Sequence, residues 1–233
     1  MLRKLTIFDL KVILYYTGKI IFGLALTMII PLAIALIYKE FDSALDFALG
    51  MSVSIIFGLV CMRLMKTNKS PNLFQSMTIA ALTWIFACLF SSIPFYLSGH
   101  FQSYLDVLFD LMSGFTTTGY SLIQDLDHVS NALNMWRHLI HYIGGQGIVV
   151  MALSFLIKNS GGAFQLMVGE AKDEPLEPSI TKTAQNIWII SLVCLFMGTA
   201  MAAIAAYYDG LAWDRSILHG SWMFMSAWST GGF

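Results

Sequence analysis

Charged side chains are scarce in this sequence, and their scarcity excludes most kinds of soluble protein. Asp, Glu, Lys and Arg together make up 12% of the 233 residues, whereas soluble domains have about 25%. Hydrophobic residues make up 57%, and the mean hydropathy is +0.70. The formal net charge is -1, and no basic cluster exceeds two adjacent residues, so there is no surface for nucleic acid. The composition predicts an integral membrane protein whose solvent is the lipid bilayer.

Cysteine is also scarce, and its placement argues against a disulfide framework or a metal site. Cys61, Cys88 and Cys194 each lie inside an apolar run, and none belongs to a CxxC pair. We interpret them as small residues of membrane helices. The apolar core of a signal peptide is lacking as well, because Asp9 and Lys11 interrupt it. The N-terminal residues are therefore predicted to be an interfacial, cytoplasmic segment before the first span.

Five apolar stretches are long enough to cross a bilayer, which takes about 20 helical residues. They are Ile20–Tyr38, Leu45–Leu64, Phe74–Leu97, Trp136–Ile157 and Ile187–Tyr208, with a kink expected at Pro31. Two further stretches, Tyr104–Phe115 and Ser216–Trp228, are too short, and each leads into a cluster of Thr, Ser and Gly. Stretches of that length are typical of re-entrant or interfacial helices.

The distribution of Lys and Arg predicts the orientation of the spans. Basic residues precede the first span and follow the second and the fourth, whereas the opposite loops carry Glu40, Asp42, Asp106 and Asp125. By the positive-inside rule the N-terminus lies in the cytoplasm, and both short stretches enter from the outer side. The prediction is a multi-pass protein of the cell (inner) membrane.

The order of long and short apolar stretches repeats along the chain. An offset of 112 residues places Thr117-Thr118-Gly119 on Ser229-Thr230-Gly231 and the third span on the fifth. The predicted parts are two leading transmembrane helices (1–70), a first span–short helix–loop–span repeat (71–158), a cytoplasmic linker (159–182) and a second repeat truncated in its loop (183–233). The linker is either a solvated connection or a contact surface for a cytoplasmic partner.

The loops rich in Thr and Gly predict a cation site. Non-helical backbone at membrane depth must be buried in protein or line water. A short helix that enters from outside and ends at such a loop directs the negative end of its dipole inward. Glycine lets successive carbonyls turn toward one axis, and small hydroxyl residues leave the bore open. Ser103 and Asp106 form a predicted capping box at the start of the first short helix.

These residues resemble the Trk/Ktr/HKT superfamily of potassium transporters. A span, a short helix, "TTTGYS" and then "WRHLIHYIGGQGIVVMALSFL" are similar to the first repeat of that superfamily, and "SAWSTGGF" is similar to its second filter. Two extra spans before the first repeat, and "GEAKDEPLEPSITKTAQNIW" before the second, are closer to the TrkH branch than to the KtrB branch. The resemblance covers the whole chain.

The resemblance implies an all-α membrane fold in which four units of span, pore helix, filter loop and span surround one pore, as in potassium channels. It implies potassium uptake, passive or coupled, with no covalent cofactor and no enzymatic reaction. The implied filter residues are Thr116, Thr117, Thr118, Gly119, Ser229, Thr230 and Gly231, with K+ at Thr117, Thr118, Gly119, Thr230 and Gly231. The implied partners are a cytoplasmic nucleotide-binding regulatory subunit similar to TrkA and a second copy, in a homodimer. We expect the sequence to be the N-terminal half of such a protein.

Residues of the fourth span leave alternatives open. Gly144 and Gly145 are either a hinge or close-approach point beside the filter, or ordinary helix-packing positions. Arg137 is expected to reach the outer interface, and His138 and His141 are expected to be interfacial polar residues.

Three other functions compete with potassium uptake. The first alternative is a secondary transporter of another solute with re-entrant helices, which would usually have inverted repeats. The second is a membrane oxidoreductase that uses His128, His138 and His141. The third is a truncated subunit that does not conduct on its own.

Overall fold

The computed structural model describes residues 6–126, 128–159 and 180–233, with the backbone alone for 148–159 and 180–183. Across these residues the chain is all-helical and has no strand, as predicted. The helices are α1 (Ile7–Thr27), α2 (Ile29–Ile37), α3 (Phe41–Leu64), α4 (Leu73–Leu97), α5 (Tyr104–Phe115), α6 (Asn131–Asn159), α7 (Ile180–Tyr208) and α8 (Trp213–Trp228). Most of the predicted linker, 160–179, and residues 1–5 of the predicted interfacial segment lie outside the described residues.

Four stretches in the described part of the chain are long and apolar enough to cross a bilayer. They are Ile7–Ile37, Phe41–Leu64, Leu73–Leu97 and Ala184–Tyr208, and they match the predicted first, second, third and fifth spans. The predicted fourth span, Trp136–Ile157, falls within α6, which has 29 residues. Helix α5 covers the first predicted short stretch, and α8 begins at Trp213 rather than at Ser216.

The first span begins earlier than predicted because the polar residues at its start form hydrogen bonds. Helix α1 starts at Ile7, where Thr6 and Asp9 form a capping box. Asp9 does not interrupt the helix, since it is 2% exposed and accepts a 2.8 Å hydrogen bond from Gln75 Nε2. Gln75 in turn forms a capping box with Asn72 at the start of α4. The N-terminal ends of α1 and α4 are thereby joined.

Pro31 interrupts the first span, as predicted. Helix α1 ends at Thr27 and α2 begins at Ile29. Proline has no N–H, so the carbonyl of Thr27, four residues earlier, loses its helical partner.

A distant carboxylate caps the N-terminus of α6. Glu40 lies in the turn between α2 and α3, directly after Lys39, which has a φ of 60°. Glu40 Oε1 accepts hydrogen bonds from the Asn131 N–H at 2.8 Å and from Asn131 Nδ2 at 2.7 Å. Glu40 Oε2 accepts one from the Ala132 N–H at 3.1 Å. The turn between the leading helices therefore supplies the cap that α6 needs.

The chain divides into two units, and the first comprises residues up to Phe115 together with Tyr120–Arg137. Glycines bring its helices together. A Cβ on Gly58 of α3 would lie 2.8 Å from Phe22 Cβ and 2.9 Å from the Gly18 carbonyl oxygen of α1. Small residues at helix crossings are the usual packing solution in lipid.

The second unit comprises Thr116–Gly119 and His138–Phe233. Its helices α7 and α8 also pack through glycine, because a Cβ on Gly220 would lie 2.8 Å from the Thr199 carbonyl oxygen. A buried polar cluster joins α6 to α7, where Tyr142 hydrogen-bonds to Ser191 and Gln146 Nε2 donates to Ser191 Oγ at 2.7 Å. The same unit contains both loops that follow the short helices.

Candidate ion-binding loops

Both loops have the same unusual backbone. The first loop, Thr116–Gly119, follows α5, and the second loop, Ser229–Gly232, follows α8. In the first, φ is 55° at Thr117 and 85° at Gly119; in the second, φ is 53° at Thr230 and 74° at Gly232. Non-glycine residues with positive φ are uncommon and cluster at ligand clamps.

These torsions correct the register of the repeat. The positive φ values recur at an offset of 113 residues, and so do the last residues of the short helices, Phe115 and Trp228. The predicted offset of 112, which paired Gly119 with Gly231, is wrong by one residue. Gly232 has the geometry of Gly119, and Gly231 stands where the first loop has Thr118.

The torsion pattern departs from extended backbone, in which successive carbonyls point to opposite sides. A positive φ at every second residue breaks that alternation in both loops. Rings of backbone carbonyls replace the hydration shell of the ion in potassium-selective filters.

The two loops touch each other through their backbones. A Cβ placed on Gly119 would overlap the carbonyl oxygen of Gly231. Gly145 of α6 lies against both loops, because a Cβ there would be 3.1 Å from Ser229 Cβ and 3.5 Å from Thr117 Cγ2. Gly144 beside it is buried. A side chain at position 119 would have to push the loops apart, whereas even a methyl group at 145 would require its neighbours to give by a few tenths of an ångström.

The loop hydroxyls mostly bond within their own loop or helix. Thr116 Oγ1 and Thr118 Oγ1 are 2.8 Å apart, and Thr230 Oγ1 donates to the Ser229 carbonyl at 2.7 Å. Ser229 is buried, and its hydroxyl bonds back to the Met225 carbonyl at 2.8 Å. The second loop therefore offers an ion its backbone oxygens more readily than its serine hydroxyl.

Both histidines of α6 are buried, and the expectation that they are interfacial is wrong. His141 is 0% exposed, its ring stacks on Phe233 at 3.8 Å, and a Cβ on Gly231 would overlap it. His138 stacks on Trp222 of α8, with ring centroids 6.0 Å apart. The cause is the second loop and α8, which cover this face of α6.

Arg137 is also buried, and the expectation that it reaches the outer interface is wrong. It is 3% exposed, and its Nη2 donates a 2.9 Å hydrogen bond to Ser121 Oγ in the first unit. The polar partner lies in the segment that follows the first loop, so the guanidinium has no need to extend toward water.

Two serines support the loops and were missed by the sequence reasoning. Ser113 Oγ accepts a 2.7 Å hydrogen bond from the Tyr120 N–H, and Ser226 Oγ donates a 2.9 Å hydrogen bond to the Phe233 carbonyl. Each serine lies in the last turn of its short helix, seven residues before the aromatic residue that follows the loop glycine. The signal was the pattern Ser-x-aromatic-Thr/Ser-Thr-x-Gly-aromatic, which occurs at both places once the offset is 113.

Metal-binding side chains do not cluster in the described part of the chain. No group of three or more His, Cys, Asp or Glu residues there could hold a metal ion. Asp125 and His128 form an exposed pair at 2.6 Å.

The fold is similar to that of a membrane transporter of known structure. The crystal structure of the potassium transporter TrkH from Vibrio parahaemolyticus aligns with a TM-score of 0.68 and 24% sequence identity, over 91% of this chain and 42% of that one. This likeness shows the fold: the chain has the helical architecture of that protein.

Curated relatives are similar over nearly the whole chain. An uncharacterized cation transporter of Methanocaldococcus jannaschii is 32% identical over 231 residues, which is 98% of this chain and 46% of the relative. The Trk system potassium uptake protein TrkH of Halomonas elongata is also 32% identical, over 97% of this chain and 46% of its own length. TrkG of Escherichia coli K12 is 28% identical, over 96% and 45%. The chain spans about half the length of these relatives.

The family model described as TrkH, cation transport protein, matches residues 43–233. The chain belongs to this family of cation transport proteins, and it is a membrane protein.

Proposed function

We propose that this protein takes up potassium as the membrane subunit of a Trk-type system, through a filter lined by the carbonyls of the two loops. The observation that carries the proposal is the shared torsion pattern of two loops whose backbones are in contact. Relatives that are named Trk system potassium uptake proteins support the choice of ion.

The ion-binding residues in this proposal are those of the two loops. Thr117, Thr118 and Gly119 supply oxygens from the first, and Thr230 and Gly231 from the second. Thr116 bonds to Thr118 within the first loop, and Ser229 anchors the second loop to its helix. Gly232 joins this set because it has the torsion of Gly119. The driving force needs no covalent chemistry, since the membrane potential contributes about 2.3 kcal/mol per charge per 100 mV.

The proposed setting follows from the charges. Basic residues at one side of the spans favour a cytoplasmic N-terminus in the cell (inner) membrane. We also propose a cytoplasmic nucleotide-binding regulator similar to TrkA as a partner, and a homodimer as the working form.

Substituting the loop glycines tests the filter. In the full-length protein, Gly119→Ser and Gly232→Ser force a side chain into a left-handed conformation, which costs about 1–2 kcal/mol, or roughly tenfold in an equilibrium. We expect the ratio of rubidium to sodium uptake to fall by about that factor in cells that lack their own potassium uptake. Gly99→Ser is the matched control, because Gly99 has a φ of 72° and open space around it. An unchanged ratio in both loop variants, at normal membrane levels, rules out this filter.

A further inference from the structure

We propose that Asp110, Ser121 and Arg137 form a polar clamp, with two buried ionisable side chains and one exposed serine, that fixes the limb Tyr120–Leu122 and thereby sets the selectivity of the first loop. The three are positioning residues that act through the backbone next to Gly119. The inference rests on the proposed function, since it assigns a support to the proposed filter.

Burial of two opposite charges is the first argument. Asp110 is 0% exposed and Arg137 is 3% exposed, in a chain with few charged residues. An isolated buried charge is strongly unfavourable, and ionisable groups inside membrane proteins are usually functional. The two side chains interact electrostatically, but no direct ion pair joins them among the described residues.

The hydrogen bonds of the clamp converge on the limb. Asp110 Oδ1 accepts a 2.8 Å hydrogen bond from the Leu122 N–H. Arg137 Nη2 donates to Ser121 Oγ at 2.9 Å. The limb is thus held from α5 on one side and from α6 on the other.

The position of the limb explains why the clamp bears on the loop. Tyr120 directly follows Gly119, and its N–H is already bonded to Ser113. With three consecutive residues held, the carbonyl of Gly119 has little freedom to move with the ion. A filter that cannot contract around a smaller ion discriminates against it.

The carboxylate of the clamp has no counterpart in the second repeat, whereas the serine support is shared. At an offset of 113, Asp110 corresponds to Met223 of α8, which is apolar and 63% exposed. Ser113 corresponds to Ser226, which bonds to the equivalent aromatic residue. The short helix and its loop therefore form without a carboxylate at this position.

Ser121→Ala in the full-length protein is the central test, because it removes the hydroxyl that Arg137 bonds and leaves both ionisable side chains in place. Ser98→Ala is the matched control, since that hydroxyl bonds only to the Phe95 carbonyl in its own helix. We expect Ser121→Ala to lower the ratio of rubidium to sodium uptake about fivefold, the discrimination that one hydrogen bond of ordinary net strength supports. The paired variant Asp110→Asn/Arg137→Gln, which leaves no lone charge, is expected to lower it at least as much.

The outcomes separate this inference from the proposed filter. A fall in the ratio with normal membrane levels and an unchanged melting temperature supports the clamp. If total uptake falls while the ratio of rubidium to sodium uptake stays unchanged, the clamp is wrong, because such a result shows only that these residues support the fold. If Gly119→Ser alters the ratio while Ser121→Ala and the paired variant leave it unchanged, the clamp is wrong and the filter stands. If none of these variants alters it, the filter assignment fails as well.

Discussion

Removing the Glu40 carboxylate should destabilise the protein by a predictable amount. In Glu40→Ala, the N–H groups of Asn131 and Ala132 and the Asn131 amide lose their acceptors, which lie at 2.7–3.1 Å. Loss of a helix cap costs about 1 kcal/mol, and loss of a carboxylate at a helix N-terminus costs about 1 kcal/mol more. We therefore expect a loss of about 2–3 kcal/mol, which lowers the melting temperature by about 5–10 °C.

Thermal unfolding of the purified protein in detergent measures this loss. Glu40→Gln should lose about half as much, because its amide oxygen still accepts one backbone N–H but its charge is gone. Asp42→Asn controls for the removal of an acid, since Asp42 is an exposed residue in the first turn of α3. If Glu40→Ala melts together with the parent protein, the cap contributes nothing and the reasoning from the three hydrogen bonds is wrong.

Two further predictions concern the loops. Gly145→Val should abolish uptake, because a side chain at 145 meets Ser229 and Thr117. Gly147→Val should retain uptake, since position 147 faces open space. Equal rubidium uptake by the two variants would contradict the close approach of α6 to the loops. Ser226→Ala should lower the ratio of rubidium to sodium uptake about fivefold, as expected for one lost hydrogen bond, and a ratio equal to that of the parent would show that the second loop does not depend on this serine.

Local patterns were sufficient to predict most helices and one cap. Tyr104–Phe115 is an apolar stretch between a capping serine and a Thr cluster, and the helix has those bounds. The predicted capping box is confirmed, with Ser103 N–H to Asp106 Oδ2 at 3.0 Å and Asp106 N–H to Ser103 Oγ at 3.2 Å. Such features depend on neighbours within one turn, so the sequence contains all the information they need.

Features that depend on distant partners were not predictable in the same way. Arg137 and His141 were assigned to the interface because their type is polar, but Ser121 and Phe233 supply surroundings that bury them. The register was misjudged for another reason, since it was set on the dipeptide Thr-Gly alone, with Thr118-Gly119 placed on Thr230-Gly231. Aligning Tyr120 with Phe233, the aromatic residues that follow the loop glycines, would have given the offset of 113.

The joined caps at the start of α1 and α4 have a mechanical consequence. Asp9 takes part in the first turn of α1 and also holds Gln75, which in turn closes the first turn of α4. Fraying of either helix would strip hydrogen bonds from the other, so neither end can loosen alone. The N-terminal ends of α1 and α4 are therefore expected to move together as one rigid unit, although Asp9 and Gln75 are 66 residues apart along the chain.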